Sequence, residues 1–171
     1  MKKILAPLVI ALFSFTTLAD DWKTITLLEN VTISLPGTPK QDNSKGVPVQ
    51  TVAMADSTEI SAVVIDFSTF GMTEELLQQM AGTEQFKQMI EAQAASQPGV
   101  KILKNEAGKF ADKYTMYTST VQVNTDEYKG TINNRTIIYK KYGISIIYKP
   151  GKNGSDEALK EKVFNSLKIA G

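Results

Sequence analysis

Residues 58–68 read Thr-Glu-Ile-Ser-Ala-Val-Val-Ile-Asp-Phe-Ser, and the fold turns on how this run is covered. Ile60, Ala62 and Val64 fall on one parity, while Val63, Ile65 and Phe67 fall on the other. A strand built from these residues is apolar on both faces. A strand with one wet face alternates polar and apolar side chains, whereas a two-sided one needs cover above and below its sheet. The segment is therefore read as a central strand in a layered α/β arrangement, and the rest of the chain has to supply the layers.

Working outward, residues 47–56 form the partner strand of a hairpin turning at Asp56-Ser57. Earlier still, residues 22–28 have extended character, and in 31–35 Val31, Ile33 and Leu35 alternate with Thr32 and Ser34, the period of a half-buried strand. Pro36-Gly37-Thr38-Pro39 ends that strand, since proline offers no N–H to a ladder, and the polar residues 40–46 read as a loop. Downstream, Thr73 precedes Glu74 and Glu75 as a helix cap precedes a first turn. Leu76, Leu77, Met80, Phe86, Met89 and Ile90 then follow helical spacing up to Ala95, with Gly82 dividing the segment in two. Its methionines suggest either core or an adaptable binding face, and the stripe is read as core.

After the Gln97-Pro98-Gly99 turn, residues 100–104, 113–123, 127–139 and 143–148 read as strands of an antiparallel meander. The apolar parity changes between Ile132 and Ile137, which predicts a bulge near Asn133-Asn134. Ser155 is placed to cap a last helix whose Leu159, Val163, Phe164 and Leu167 share one face, and the chain is expected to end by docking it. The order of strands, helix, strands and helix gives a single α+β domain over residues 20–171.

Residues 1–19 read as a secretory signal peptide. Lys2 and Lys3 precede an apolar run from Ile4 to Leu12, extended by Phe13 and Phe15, and Thr17 and Ala19 are the small residues before a cut ahead of Asp20. The run is too short for a membrane anchor. The chain has no cysteine to carry a lipid or a disulfide, so the expected product is a free periplasmic or secreted domain held by its core alone. Cleavage removes two lysines and leaves 17 basic against 18 acidic residues. The distribution is lopsided: residues 20–100 hold 4 Lys and 11 acids, whereas residues 101–171 hold 12 Lys, Arg135 and 7 acids. Either the second half forms a basic face, or the halves interleave and the charges become ordinary surface. The scattered lysines and single arginine argue against nucleic acid.

The 171 residues contain neither His nor Cys. That removes Ser-His-Asp and Cys-His nucleophilic sites, His/Cys zinc sites and thiol redox chemistry. No phosphate-cradling glycine loop or calcium loop occurs, so no cofactor, metal or catalytic residue is assigned. A hydrolase would have to use paired carboxylates, for which Asp66, Asp112, Asp126 and Glu127 are available. Asp66 is the most pointed of these because it interrupts the apolar strand, although such a residue more often lies at a strand end and is solvated. Arg135 is read as a structural ion pair. Tyr114, Tyr117, Tyr128, Tyr139, Tyr142 and Tyr148 lie among most of the lysines, as an interaction surface or simply as strand formers. Asn30-Val-Thr, Asn134-Arg-Thr and Asn153-Gly-Ser match the glycosylation pattern without evidence of use.

The Leu-Pro-Gly-x-Pro of residues 35–39, the Gly-Lys-Phe of 108–110, the Tyr-x-Gly of 128–130, the hairpin at 140–143 and the closing Val-Phe-Asn-Ser-Leu-Lys-Ile of 163–169 together resemble the PsbP-like family. That family is named for an extrinsic photosystem subunit and includes the DcrB-type bacterial envelope proteins. The resemblance covers nearly all of residues 22–169 and rests on turn and packing signatures. It implies an antiparallel sheet sandwiched between helices, and a binding module or assembly factor instead of an enzyme. It transfers no functional residue to a numbered position. The resulting expectation is an exported, non-catalytic envelope module whose partner is another exported or envelope protein. A carboxylate hydrolase acting on cell-wall or glycan material, and adhesion to an anionic surface through the basic half, stand as alternatives.

Overall fold

The computed structural model describes residues 21–43 and 47–170; the segment read as a signal peptide lies outside them. The apolar run forms β5 (Glu59–Asp66), paired antiparallel with β4 (Val49–Ala53) on one side and β9 (Tyr142–Lys149) on the other. Beyond β4 lies β3 (Lys40–Asp42), and beyond β9 come β8 (Lys129–Tyr139), β7 (Tyr114–Asn124) and β6 (Val100–Phe110). The seven-stranded order is β3-β4-β5-β9-β8-β7-β6, so β6 to β9 form the expected meander. A second sheet has three strands in the order β1-β2-β10: β1 (Trp22–Leu28), β2 (Val31–Pro36) and β10 (Lys168–Ile169).

Both faces of the large sheet are covered, as the double parity of β5 requires. On one face α1 (Glu74–Met80) and α2 (Glu84–Ala95) bury Leu77 and Phe86 against Tyr117 and Ile138, with Met80 and Met89 alongside. The stripe packs on this core, with Leu77 and Phe86 buried, Met80, Met89 and Ile90 partly buried and Leu76 exposed. On the other face the small sheet and α3 (Glu157–Phe164) bury Val31, Ile33, Leu35, Val163 and Phe164 against Ile60, Ala62, Ile137, Ile144 and Ile146. Each such Val, Leu, Ile or Phe side chain contributes about 1.5–3 kcal/mol by leaving water. The adjacent residues Ile137 and Ile138 serve different cores, the direct result of a two-residue period.

That two-sided burial also corrects the bulge expected in β8. The pairing of β8 with β7 and β9 runs without a register shift through Asn133 and Asn134; Ile132 and Ile137 face opposite sides because each side has cover. Bulges occur instead in β1 between Thr26 and Leu28 and in β6 between Ile102 and Lys104. Three further boundaries move. Part of the expected loop, Lys40–Asp42, is strand, and β6 runs on to Phe110. The cap of α3 is Asp156, whose Oδ1 accepts the Leu159 N–H at 2.9 Å, while the Ser155 hydroxyl bonds Glu157 at 2.6 Å. Beyond α3 the chain ends in β10, a strand on the edge of β2.

The helix division falls where expected. Thr73 and Thr83 cap α1 and α2 by accepting the Leu76 and Phe86 N–H groups at 3.2 Å each. Gly82 between them adopts φ +90°, a left-handed conformation that glycine enters without a Cβ penalty.

Candidate functional site

Asp66 ends β5 and caps the single 3₁₀ turn Phe67–Phe70. Its Oδ1 accepts the Ser68 N–H at 2.9 Å and the Ser68 hydroxyl at 2.5 Å, and Oδ2 pairs with the Lys141 ammonium at 2.9 Å. The Ser68 hydroxyl, and then Lys141, hold its pKa down to about 2. The same contact raises the Lys141 pKa. A carboxylate fixed in its ionised form has little use as a proton donor or acceptor near neutrality, so Asp66 serves as a cap and an ion-pair partner.

The other acids do not join it. Asp112 lies in the β6–β7 turn, while Asp126 and Glu127 lie in the β7–β8 turn, at the far end of the eleven-residue β7. That separation is about 33 Å at the usual rise per residue. Asp66 and Asp112 share an end of the sheet, but β9, β8 and β7 run between them, a spacing of about 14 Å or more. Paired catalytic carboxylates stand about 5–10 Å apart. Among the described residues no three acids gather as a metal site would require.

Arg135 is the structural ion pair expected of it. One terminal nitrogen donates to Asn165 Oδ1 at 3.0 Å, the other reaches Glu161 at 3.5 Å, and the guanidinium stacks 4.7 Å from the Phe164 ring centre. It ties β8 to α3. Asn134, of the second glycosylation pattern, lies within β8 and donates to Thr136 Oγ1 at 3.1 Å; Asn30 and Asn153 lie exposed in turns.

The six tyrosines occupy three kinds of position. The buried Tyr117 and Tyr148 accept backbone N–H groups of Gly82 and Asp156 at 2.9 and 3.0 Å, joining the sheet to the helical segments above and below it. Tyr128 donates to the Thr131 carbonyl at 3.2 Å. The remaining three form a row across one end of the sheet. Tyr114 and Tyr139 meet edge to face at 5.4 Å, and Tyr139 is in register with Tyr142 across the β8–β9 hairpin. Phe110, in register with Tyr114, extends the row.

Each tyrosine of the row carries a lysine: Lys113 over Tyr114 at 5.1 Å, Lys140 over Tyr139 at 5.4 Å and Lys141 over Tyr142 at 5.2 Å. Lys141 is paired with Asp66, whereas Lys113 and Lys140 are exposed and take part in no ion pair among the described residues. Phe110 also lines a cleft of about 590 Å³ with Ala111, Leu167 and Ile169. Phe70, on the 3₁₀ turn beside Lys141, is 66% exposed. Tyr139 itself is 7% exposed and belongs to the core, so the half-buried Tyr114 and Tyr142, the exposed Phe70, the two lysines and the apolar hollow are what this end presents to a partner.

Elsewhere part of the basic half is paired. Glu59 pairs with Lys149 across β5 and β9, and Asp66 with Lys141 of the β8–β9 turn, so the acidic first half and basic second half meet in one sheet. The sequence showed tyrosines and lysines together, and the Tyr-Lys-Lys-Tyr of residues 139–142 was the available pointer to the row. Its remaining members required the strand register.

No protein-family description matches the chain, and no curated protein matches it. Among solved structures it is similar to cyanobacterial PsbP (CyanoP) from Synechocystis sp. PCC 6803, with a TM-score of 0.58 at 11% identity over 88% of this chain and 94% of that one. The fold is PsbP-like. The chain also aligns with PA94 of Pseudomonas aeruginosa, a protein of unknown function, at a TM-score of 0.44 and 10% identity over 84% of this chain and 91% of that one. For LpqN of Mycobacterium tuberculosis, involved in cell envelope biogenesis, the TM-score is 0.41 at 10% identity, with coverage of 89% and 80%. At these identities the likeness is one of fold. The PsbP-like architecture here presents the β6–β7 and β8–β9 turns side by side at the tyrosine row. Among the described residues no helix is long and apolar enough to cross a membrane.

Proposed function

We propose that this PsbP-like chain is an exported, non-catalytic binding or assembly module of the cell envelope, acting in the periplasm or outside the cell. Its partner is another exported protein, met at the tyrosine row. The observation that carries this reading is the placement of the unpaired Lys113 and Lys140 on the contacting rings of Tyr114 and Tyr139. The half-buried Tyr114 and Tyr142 supply contact area at small entropic cost, the buried Tyr139 holds the Tyr114 ring in place, and the neighbouring lysines steer an acidic partner into register. The absence of His and Cys and the use of Asp66 in a cap support a non-catalytic role. Gentle crosslinking in the native compartment, followed by capture of the chain, should recover the same acidic protein reproducibly; recovery of none would overturn the proposal.

The lysines alone would also suit adhesion to an anionic surface. Such adhesion predicts binding to anionic vesicles that weakens steeply with salt and does not depend on the tyrosines. The apolar cleft beside Phe110 favours a protein. The hydrolase reading finds no second acid beside Asp66 among the named candidates.

A further inference from the structure

The longest open edge of the large sheet is β6, an eleven-residue strand hydrogen-bonded to β7 alone. Such an edge is a template for a further strand unless its side chains prevent one. The central residues, Leu103-Lys104-Asn105-Glu106-Ala107, are complementary to themselves when read in the opposite direction. If a second β6 is laid antiparallel with Asn105 opposite Asn105, Lys104 faces Glu106, Glu106 faces Lys104, and Leu103 faces Ala107 at both ends. Cross-strand pairs of this kind are the units that stabilise a sheet and set its register.

Several features of the single chain fit this arrangement. Leu103 is 52% exposed at the β6 bulge, and Ala107 and Gly108 are exposed beyond it, leaving apolar and small surface on the edge. Lys104 and Glu106 bond each other at 2.8 Å with 61% of each side chain exposed, so each is free to turn to a neighbour of opposite charge. Asn105 turns its carboxamide to Glu91 of α2, donating at 3.0 Å with its Oδ1 buried, so at the axis the two strands would meet through their backbones and the flanking charge pairs.

We infer that β6 is a homodimer interface, joining two copies of this chain edge to edge into one continuous sheet about a two-fold axis at Asn105. Lys101 and Lys109 face each other in this register and repel, which confines the pairing to the central block and makes the dimer reversible with concentration. The interface lies on β6, apart from the Lys113 and Lys140 turn sites, so it stands or fails independently of the proposed function.

The test is sedimentation of the chain, as the producing cells process it, over a concentration series up to millimolar. The expected result is a shift from monomer to dimer mass. Lys104→Glu sets two like-charge pairs across the axis and should weaken dimerisation about tenfold, as should Glu106→Lys. The double exchange Lys104→Glu with Glu106→Lys restores both attractions and should recover the native constant. Both side chains are exposed, and unchanged circular dichroism would confirm that each variant folds. A monomer at every concentration, a dimer indifferent to the single changes, or a double exchange that fails to restore it would each overturn the inference.

Discussion

Asp66 shows how far a single residue can be read. The sequence marks it as an acid interrupting an apolar strand, and both the catalytic and the solvated-end explanations fit that pattern. Only the backbone path beyond it, turning at once into a 3₁₀ helix, brings Ser68 and Lys141 to the carboxylate. The pH consequence follows in sign. Because its folded pKa is depressed to about 2, Asp66 contributes stability that is present above the unfolded carboxylate range and lost as pH falls through about 2. Asp66→Asn should therefore be less stable than the native chain in neutral urea melts, with the difference vanishing in strong acid. Tyr148 carries a second prediction at this scale. Its buried hydroxyl accepts the Asp156 N–H, so Tyr148→Phe leaves that donor unmatched and should cost about 1–3 kcal/mol in denaturant unfolding.

At the scale of elements, β5, the two capped helices and the meander were readable because their signals are local: parity, an N-cap and a glycine. Residues 105–109 of β6 were not. Asn-Glu-Ala-Gly-Lys is poor strand sequence, and an edge position with one neighbouring strand tolerates it. The two-residue β10 was beyond reach for another reason: it exists through its pairing with β2, more than a hundred residues earlier. The bulge expected at Asn133-Asn134 failed because it assumed one buried face where the sheet has two. Local signals also predict local costs. Thr83→Ala removes the acceptor for the Phe86 N–H and should destabilise the chain by about 1 kcal/mol.

For the whole molecule, strand pairing brings acids of the first half beside bases of the second, as in Glu59–Lys149 and Asp66–Lys141, and so offsets part of the lopsided charge. The core between the sheets is the larger, and Phe164, 1% exposed within it, also carries the Arg135 stack. Phe164→Ala should cost about 3–5 kcal/mol in denaturant unfolding, enough to threaten a domain of ordinary stability. None of this arrangement was visible in the charge tally, because the tally follows chain order and strand pairing does not. The candidate site was half readable: tyrosines and lysines coincide in the sequence, but their row requires β6, β7, β8 and β9 in register. The central claim is that the row is the partner surface, and one comparison tests it most directly. The double variant Lys113→Glu with Lys140→Glu, at the row, and Lys129→Glu with Lys152→Glu, away from both the row and β6, change the net charge equally. Crosslinked partner recovered from the native compartment should fall at least tenfold for the first variant and remain near the native yield for the second. Equal losses from both, or none from the first, would contradict the account.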